Sequence, residues 1–298
     1  MMVLQSLSHA HIVHIHGWTE WPGSMALVLE YLPAGNLYTL LRDQQNKVHT
    51  CLRLRMCFEV ADAIAFIHNR AESSRLVHGD IKPENVLLTE DLHCKLSDFG
   101  SVKLATCTGV TTVSVKAEQE DDVLTTVYAA PERLGDAPVR PRKEQDTYSF
   151  GLVVHMALTG EVPYEIYPSI SAYLQAVKNG ARPDTELVDE LKKSAQNSLE
   201  VETVEALESV MKCCWDQTPS KRPKMIDVQK ALKELLARTK SEEIIQNVLD
   251  ERTRQVESEP TTSSNIEYAT LLSFDSQERS FRLGINKCAC LHVALGNT

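Results

Sequence analysis

Apolar and polar positions alternate between residues 11 and 31, as in Ile12-Val13-His14-Ile15-His16 and again in Met25-Ala26-Leu27-Val28-Leu29. A period of two predicts half-buried strands, and Trp21-Pro22-Gly23-Ser24 between the two runs predicts a turn. After Gly35-Asn36 the pattern becomes helical. The run from Leu52 to His68 sets Leu54, Phe58, Ala61, Ile64, Ala65 and His68 on one stripe, which predicts a helix buried along one side. Val86-Leu87-Leu88 and Cys94-Lys95-Leu96, separated by Thr89-Glu90-Asp91, read as a second hairpin. Three-to-four periodicity then recurs over Thr147 to Leu158, Ser169 to Asn179, Glu200 to Trp215 and Ile226 to Leu236, which predicts an α-helical body. From Lys240 the chain is first charged and then rich in Ser and Thr (257–265), without a sustained period, and is expected to be a flexible tail with at most a short amphipathic helix over Glu242 to Leu249.

Composition narrows the function classes. The 298 residues are 43% hydrophobic and 24% charged, enough for a sizeable core. A net charge of -10 disfavours nucleic acid and anionic membrane as partners, because both repel an acidic surface. The eight cysteines form no CxxC pair and most lie in apolar runs, where a free thiol behaves as a small hydrophobe. A reducing, cytoplasmic setting is expected, and no apolar run is long enough to span a membrane. His9, His11, His14 and His16 offer imidazoles at short spacing, but no neighbouring carboxylate or cysteine in the sequence completes a metal set.

The chemistry is concentrated around the second hairpin. His78-Gly79-Asp80-Ile81-Lys82-Pro83-Glu84-Asn85 leads into it and Ser97-Asp98-Phe99-Gly100 leads out. A hairpin returns its two ends to one place, so Asp80, Lys82 and Asn85 are expected to face Asp98. Oxygen donors beside an ammonium suit Mg²⁺ and a triphosphate next to an acceptor hydroxyl.

These segments, followed by Ala130-Pro131-Glu132, resemble the signature set of the protein kinases in order and spacing. The resemblance implies an α+β, protein kinase-like fold with most of the N-terminal β lobe missing and a mainly helical C-terminal lobe. Residues 1–33 would be the lobe remnant with two strands and the hinge, 34–238 the C-lobe and 239–298 the tail. It also implies roles. Asp80 orients the substrate hydroxyl, Lys82 neutralises the transferring phosphoryl group, Asn85 and Asp98 hold Mg²⁺, and Asp98 bridges the metal to the phosphates of ATP. Glu30 to Leu32 resemble the hinge that hydrogen-bonds adenine, Leu29 the gatekeeper, and Leu87 the residue beneath the adenine ring. Asp146 resembles the buried aspartate that tethers the catalytic loop, and Arg222 the partner of Glu132. Leu4, Ile15, His78 and Phe99 match the apolar stack that joins the lobes.

Lys82 and Thr125 follow the serine/threonine pattern, while Asp146-Thr147-Tyr148-Ser149-Phe150-Gly151 and the segment around Cys213-Cys214-Trp215 are similar to the tyrosine-kinase-like group, including receptor-interacting and mixed-lineage kinases. The implied reaction is MgATP-dependent phosphorylation of a protein substrate, with signalling complexes as further partners. Two departures stand out. Gly79 occupies the place of an arginine that grips a phosphorylated activation loop, here the segment with Thr111, Thr112 and Ser114. No Gly-rich loop or strand lysine precedes His9, which lowers the expected affinity for ATP and leaves a pseudokinase or scaffold acting by protein binding as the alternative.

Overall fold

The alternating residues fold as a hairpin in a computed structural model that describes residues 8–21, 24–43, 48–70, 76–99, 103–104, 127–134, 139–239, 245, 247, 249, 271–275 and 280–284. Strand β1 (Ile15–Trp21) runs antiparallel to β2 (Ser24–Leu29), with Trp18 opposite Leu27. The strand starts later than the alternation does. Residues 11–13 pair instead with the second hairpin: Val13 N–H donates to the Leu96 carbonyl (3.0 Å) and Leu96 N–H to the His11 carbonyl (2.9 Å). That exchange fastens the first hairpin to the second.

Helix α1 (Leu37–Asp43) begins after Gly35, whose φ of 76° is easily adopted only by glycine. Helix α2 (Thr50–Asn69) follows and is buried on nearly every face, not along one stripe. The difference lies in its charged residues. Arg53, at 3% exposure, donates to the Val48 carbonyl and to the Ala157 and Leu158 carbonyls, and Glu59, at 2%, accepts from the Cys94 amide (2.7 Å). A buried charge is tolerated when its hydrogen bonds are made inside the protein. Periodicity of apolar residues does not register such positions.

Two short paired segments, β3 (Leu76–Val77) and the hairpin β4 (Val86–Leu88) with β5 (Cys94–Leu96), follow, and β6 (Lys103–Leu104) pairs with β3. The helical body continues with α3 (Lys143–Thr159), α4 (Ile170–Lys178), α5 (Glu186–Ser194), α6 (Ser198–Cys214) and α7 (Met225–Arg238). Helix α3 is the central one, closed at its C-terminus by Gly160 in the left-handed region (φ 71°), whose N–H bonds the Met156 carbonyl. Arg53 completes that end by holding the Ala157 and Leu158 carbonyls, which a helix terminus otherwise leaves unsatisfied. Tyr148, Phe150, Leu54, Met56 and Ile64 are among the largest fully buried side chains of the one core to which α2 and α3 both contribute.

Helix α5 is absent from the expected set, because Val188 is its one buried residue, with Leu191 partly buried against the core, and so few apolar contacts leave little periodic signal. The expectation of an irregular tail also fails at two places. Strands β7 (Leu271–Asp275) and β8 (Ser280–Gly284) pair with each other and extend the first hairpin in the order β1-β2-β7-β8, with Leu272 opposite Leu27. The signal was short alternation: Leu272 and Phe274 stand opposite Leu283 and Phe281 in the register of the two strands. Among the described residues no helix is long and apolar enough to cross a membrane.

Candidate active site

The loop from His78 to Asn85 is held from below by one carboxylate. Asp146, 1% exposed near the start of α3, accepts from His78 N–H (2.9 Å) and Gly79 N–H (2.8 Å) and lies 2.8 Å from His68 Nε2. Burial alone would raise its pKa, but these hydrogen bonds and the neighbouring imidazoles hold it below the usual carboxylate value. The tether expected from the sequence is therefore present, with His68 as an added partner.

Above that tether the polar side chains converge. Asn85 Nδ2 donates to the Asp80 carbonyl (2.8 Å) and to Asp80 Oδ2 (2.9 Å), and Lys82 Nζ lies 3.4 Å from the same carboxylate oxygen. The 3₁₀ turn Pro83–Asn85 sets this spacing, because Pro83 starts the turn and Asn85 N–H bonds the Lys82 carbonyl (3.0 Å). With the amide nitrogen committed to Asp80, Asn85 presents Oδ1 as its remaining ligand atom. The loop that carries Asp98 is joined to the same residue: Ser97 N–H and Ser97 Oγ both donate to the Asn85 carbonyl, each at 2.8 Å. His78 Nε2 lies 3.0 Å from the Ser97 carbonyl, and its ring meets that of Phe99 at 5.3 Å, edge to face. Asp98 itself has φ 56°, a region that non-glycine residues enter rarely and mostly at functional or turn positions.

The hinge residues lie beside β2. Glu30 N–H donates to the His14 carbonyl (3.0 Å), and the Glu30 carboxylate takes Lys95 Nζ on both oxygens (2.7 Å each). Its side chain thus braces the segment after β2 to β5. Leu32 is half-buried on the same stretch, and Leu87 sits centrally in β4, where its backbone bridges to Asn36. Leu4, Thr111, Thr112, Ser114, Thr125 and Gly100 lie outside the described residues.

Further groups escaped sequence reasoning. Glu84 has both carboxylate oxygens buried without a hydrogen-bond partner among the described residues, and burial holds its pKa above the usual range. Arg133 Nη1 donates to the Gly79 carbonyl (2.7 Å). Asp62 of α2 stands 3.3 Å from His9 Nε2 and 3.8 Å from His11 Nε2, a carboxylate brought from far along the chain. Even so, no group of three or more His, Cys, Asp or Glu fit for a metal ion occurs among the described residues. The expected Glu132–Arg222 pair is bidentate, at 2.7 and 2.9 Å, with the arginine side chain fully buried over the Tyr148 ring.

Comparison with known proteins agrees with this arrangement. The family model described as protein tyrosine and serine/threonine kinase matches residues 1–232. Similar proteins include human receptor-interacting serine/threonine-protein kinase 1, 27% identical over 227 residues covering 74% of this chain and 31% of the relative. Another is the probable serine/threonine-protein kinase roco5 of Dictyostelium discoideum, 30% identical over 76% of this chain and 8% of the relative. A third, U-box domain-containing protein 34 of Arabidopsis thaliana, is 33% identical over 78% of this chain and 28% of the relative. The chain thus spans under a third of the length of each of these relatives. A family match over most of the chain, on a mainly helical body with Asp80, Asn85 and Ser97 bonded into one cluster, identifies this chain as a member of the protein kinase family, on its serine/threonine side.

Proposed function

We propose that the chain carries the catalytic loop of a serine/threonine kinase, which transfers the γ-phosphoryl group of ATP to a hydroxyl of a protein substrate. The observation that supports this reading is the double hydrogen bond from Ser97 to the Asn85 carbonyl, which ties the residue before Asp98 to the residue whose side chain holds Asp80. The donor set fits Mg²⁺, a hard cation that prefers oxygen: the Asn85 amide oxygen and the Asp98 carboxylate would hold it. Bound there, the metal would supply charge neutralisation for the phosphates.

The chain's own residues supply position and charge. Asp80, fixed by Asn85 Nδ2, presents a carboxylate to orient the acceptor hydroxyl and to take its proton. Lys82, beside that carboxylate, brings a positive charge to the oxygens of the transferring group. Leu32 and the Glu30 backbone offer edge contacts for adenine, and Leu87 an apolar surface beneath it. Cytoplasmic signalling complexes are the setting that suits such an activity. A second reading, protein binding without transfer, draws on Trp18, Val28 and Tyr31, which are 47%, 43% and 45% exposed around the hairpin and hinge.

Asp80→Asn tests the first reading. Transfer to a protein substrate should fall by about 10²–10⁴-fold, with the thermal midpoint and nucleotide affinity close to those of the parent. Undiminished transfer would refute the role of Asp80, and partner binding that survives the substitution in an inactive parent would favour the second reading.

A further inference from the structure

The peptide bond that leads into Asp80 is held at both polar atoms. Its N–H, that of Asp80, donates to His78 Nδ1 (3.3 Å), and its carbonyl, that of Gly79, accepts from Arg133 Nη1 (2.7 Å). The two preceding amides, of His78 and Gly79, are taken by Asp146. The carbonyl that follows, that of Asp80, is taken by Asn85.

Gly79 makes the Arg133 contact significant. With φ 81° it occupies a region that costs glycine nothing, and it has no side chain to brace the loop. Its carbonyl turns with the rigid peptide plane, whose N–H meets His78 Nδ1 only at 3.3 Å, so the shorter Arg133 contact at 2.7 Å is the stronger hold on that plane. Arg133 can hold it because its own support is firm. It ends the 3₁₀ turn Pro131–Arg133, whose Glu132 is clamped by both terminal nitrogens of the buried Arg222. A hydrogen bond from a guanidinium is also stronger than one from a neutral donor.

We infer that Arg133 is a positioning residue for Asp80: it fixes the Gly79 carbonyl and so sets the direction in which the Asp80 carboxylate is presented. The consequence for rate rests on the phosphoryl-transfer reading, whereas the consequence for loop order does not.

The test compares Arg133→Met, which keeps the apolar stem and removes the donors, with Arg133→Lys in the full chain. Two readouts are taken: amide exchange over residues 78–82, and steady-state transfer to a protein substrate. In the methionine variant the Asp80 amide should exchange about tenfold faster or more while core amides of α3 are unchanged, as expected for a local opening. The kcat should fall by about 10- to 100-fold, the loss that a small misplacement produces, with KM for ATP within about twofold. Lysine, which retains one charged donor, should recover part of both effects. Unchanged exchange at residues 78–82 overturns the inference, whether or not kcat falls. Faster exchange in a chain that transfers no phosphate even before substitution supports the inference and rejects the phosphoryl-transfer reading. Should the methionine variant fail to fold, the lysine variant is read by the same two measurements, and parental exchange together with parental kcat in it counts against the proposal.

Discussion

Asp146, which tethers the His78–Asn85 loop, and Glu84, within that loop, respond to pH with opposite sign. The folded-state pKa of Asp146 is lowered from 3.8, so its contribution to stability is present above that value and is lost as pH falls through the lower folded value. Asp146→Ala should therefore destabilise most near neutral pH, by roughly 1–3 kcal/mol for each buried amide it strands, with the deficit shrinking as the parent is acidified. Denaturant melts from pH 3 to 7 would show this, and a deficit independent of pH would contradict it. Glu84 is raised by burial, so its protonated form is the one the fold prefers; its contribution is present below the ordinary carboxylate range and lost as pH rises through the folded value. Glu84→Gln should accordingly raise the melting temperature at pH 7 and have little effect at pH 4. At the far end of the same loop system, Arg222→Ala removes a fully buried guanidinium that serves Glu132, the Glu144 carbonyl and the Asp216 carbonyl. A loss of about 3–5 kcal/mol is expected from stranding the partners of a buried ion pair, measured by equilibrium unfolding.

Between elements, α3 and α6 approach closely at Gly151. A Cβ at Gly151 would meet Cys214 Cβ at 3.1 Å, Trp215 N at 3.1 Å and the Met211 carbonyl at 3.2 Å, two of them backbone atoms that cannot rotate aside. Replacing a helical glycine by alanine gains about 1 kcal/mol in propensity, whereas overpacking costs roughly 1–3 kcal/mol, so Gly151→Ala should be near neutral or mildly destabilising. Gly151→Val adds bulk without the propensity of alanine and should be clearly destabilising; a valine variant as stable as the parent would mean that the two helices can separate at no cost. The elements also show what the chain reveals before folding. The helical periods of α2, α3, α4, α6 and α7 were legible because each buries repeated apolar residues against a neighbour, although α2 is buried well beyond the one expected stripe. Helix α5 was not, since Val188 is its only buried residue and its other fixed point is polar, Lys192 bridging Asp189 and Glu208. The cluster of Asp80, Lys82 and Asn85 was legible because its members are near neighbours on one loop. Arg53 on the α3 carbonyls, Asp62 beside His9 and Arg133 on Gly79 were not, because each pairs residues far apart in sequence through polar atoms that leave no periodic trace.

At the scale of the whole chain, the helical body and the small sheet are held by different kinds of contact. The body rests on a continuous apolar core that runs from Ile12, just before β1, to Ile245. The sheet is joined to it through the backbone exchange of residues 11–13 with Leu96 and through Lys95 on Glu30. The outer edge of β2 is paired by β7, so the N-terminal hairpin is completed by residues near the other end of the chain. An unpaired strand edge presents free backbone donors and acceptors to any neighbouring strand. A chain ending at residue 265 retains every residue of the described core and should therefore keep the melting temperature of the helical body. It should show faster amide exchange at positions 26 and 27, which face residues 273 and 272 across the sheet. It should also gain a concentration-dependent tendency to associate through the exposed edge, read by light scattering. Parental exchange at those two amides would mean that β1 alone protects β2, and that the pairing with β7 contributes nothing to the order of the hinge that follows it.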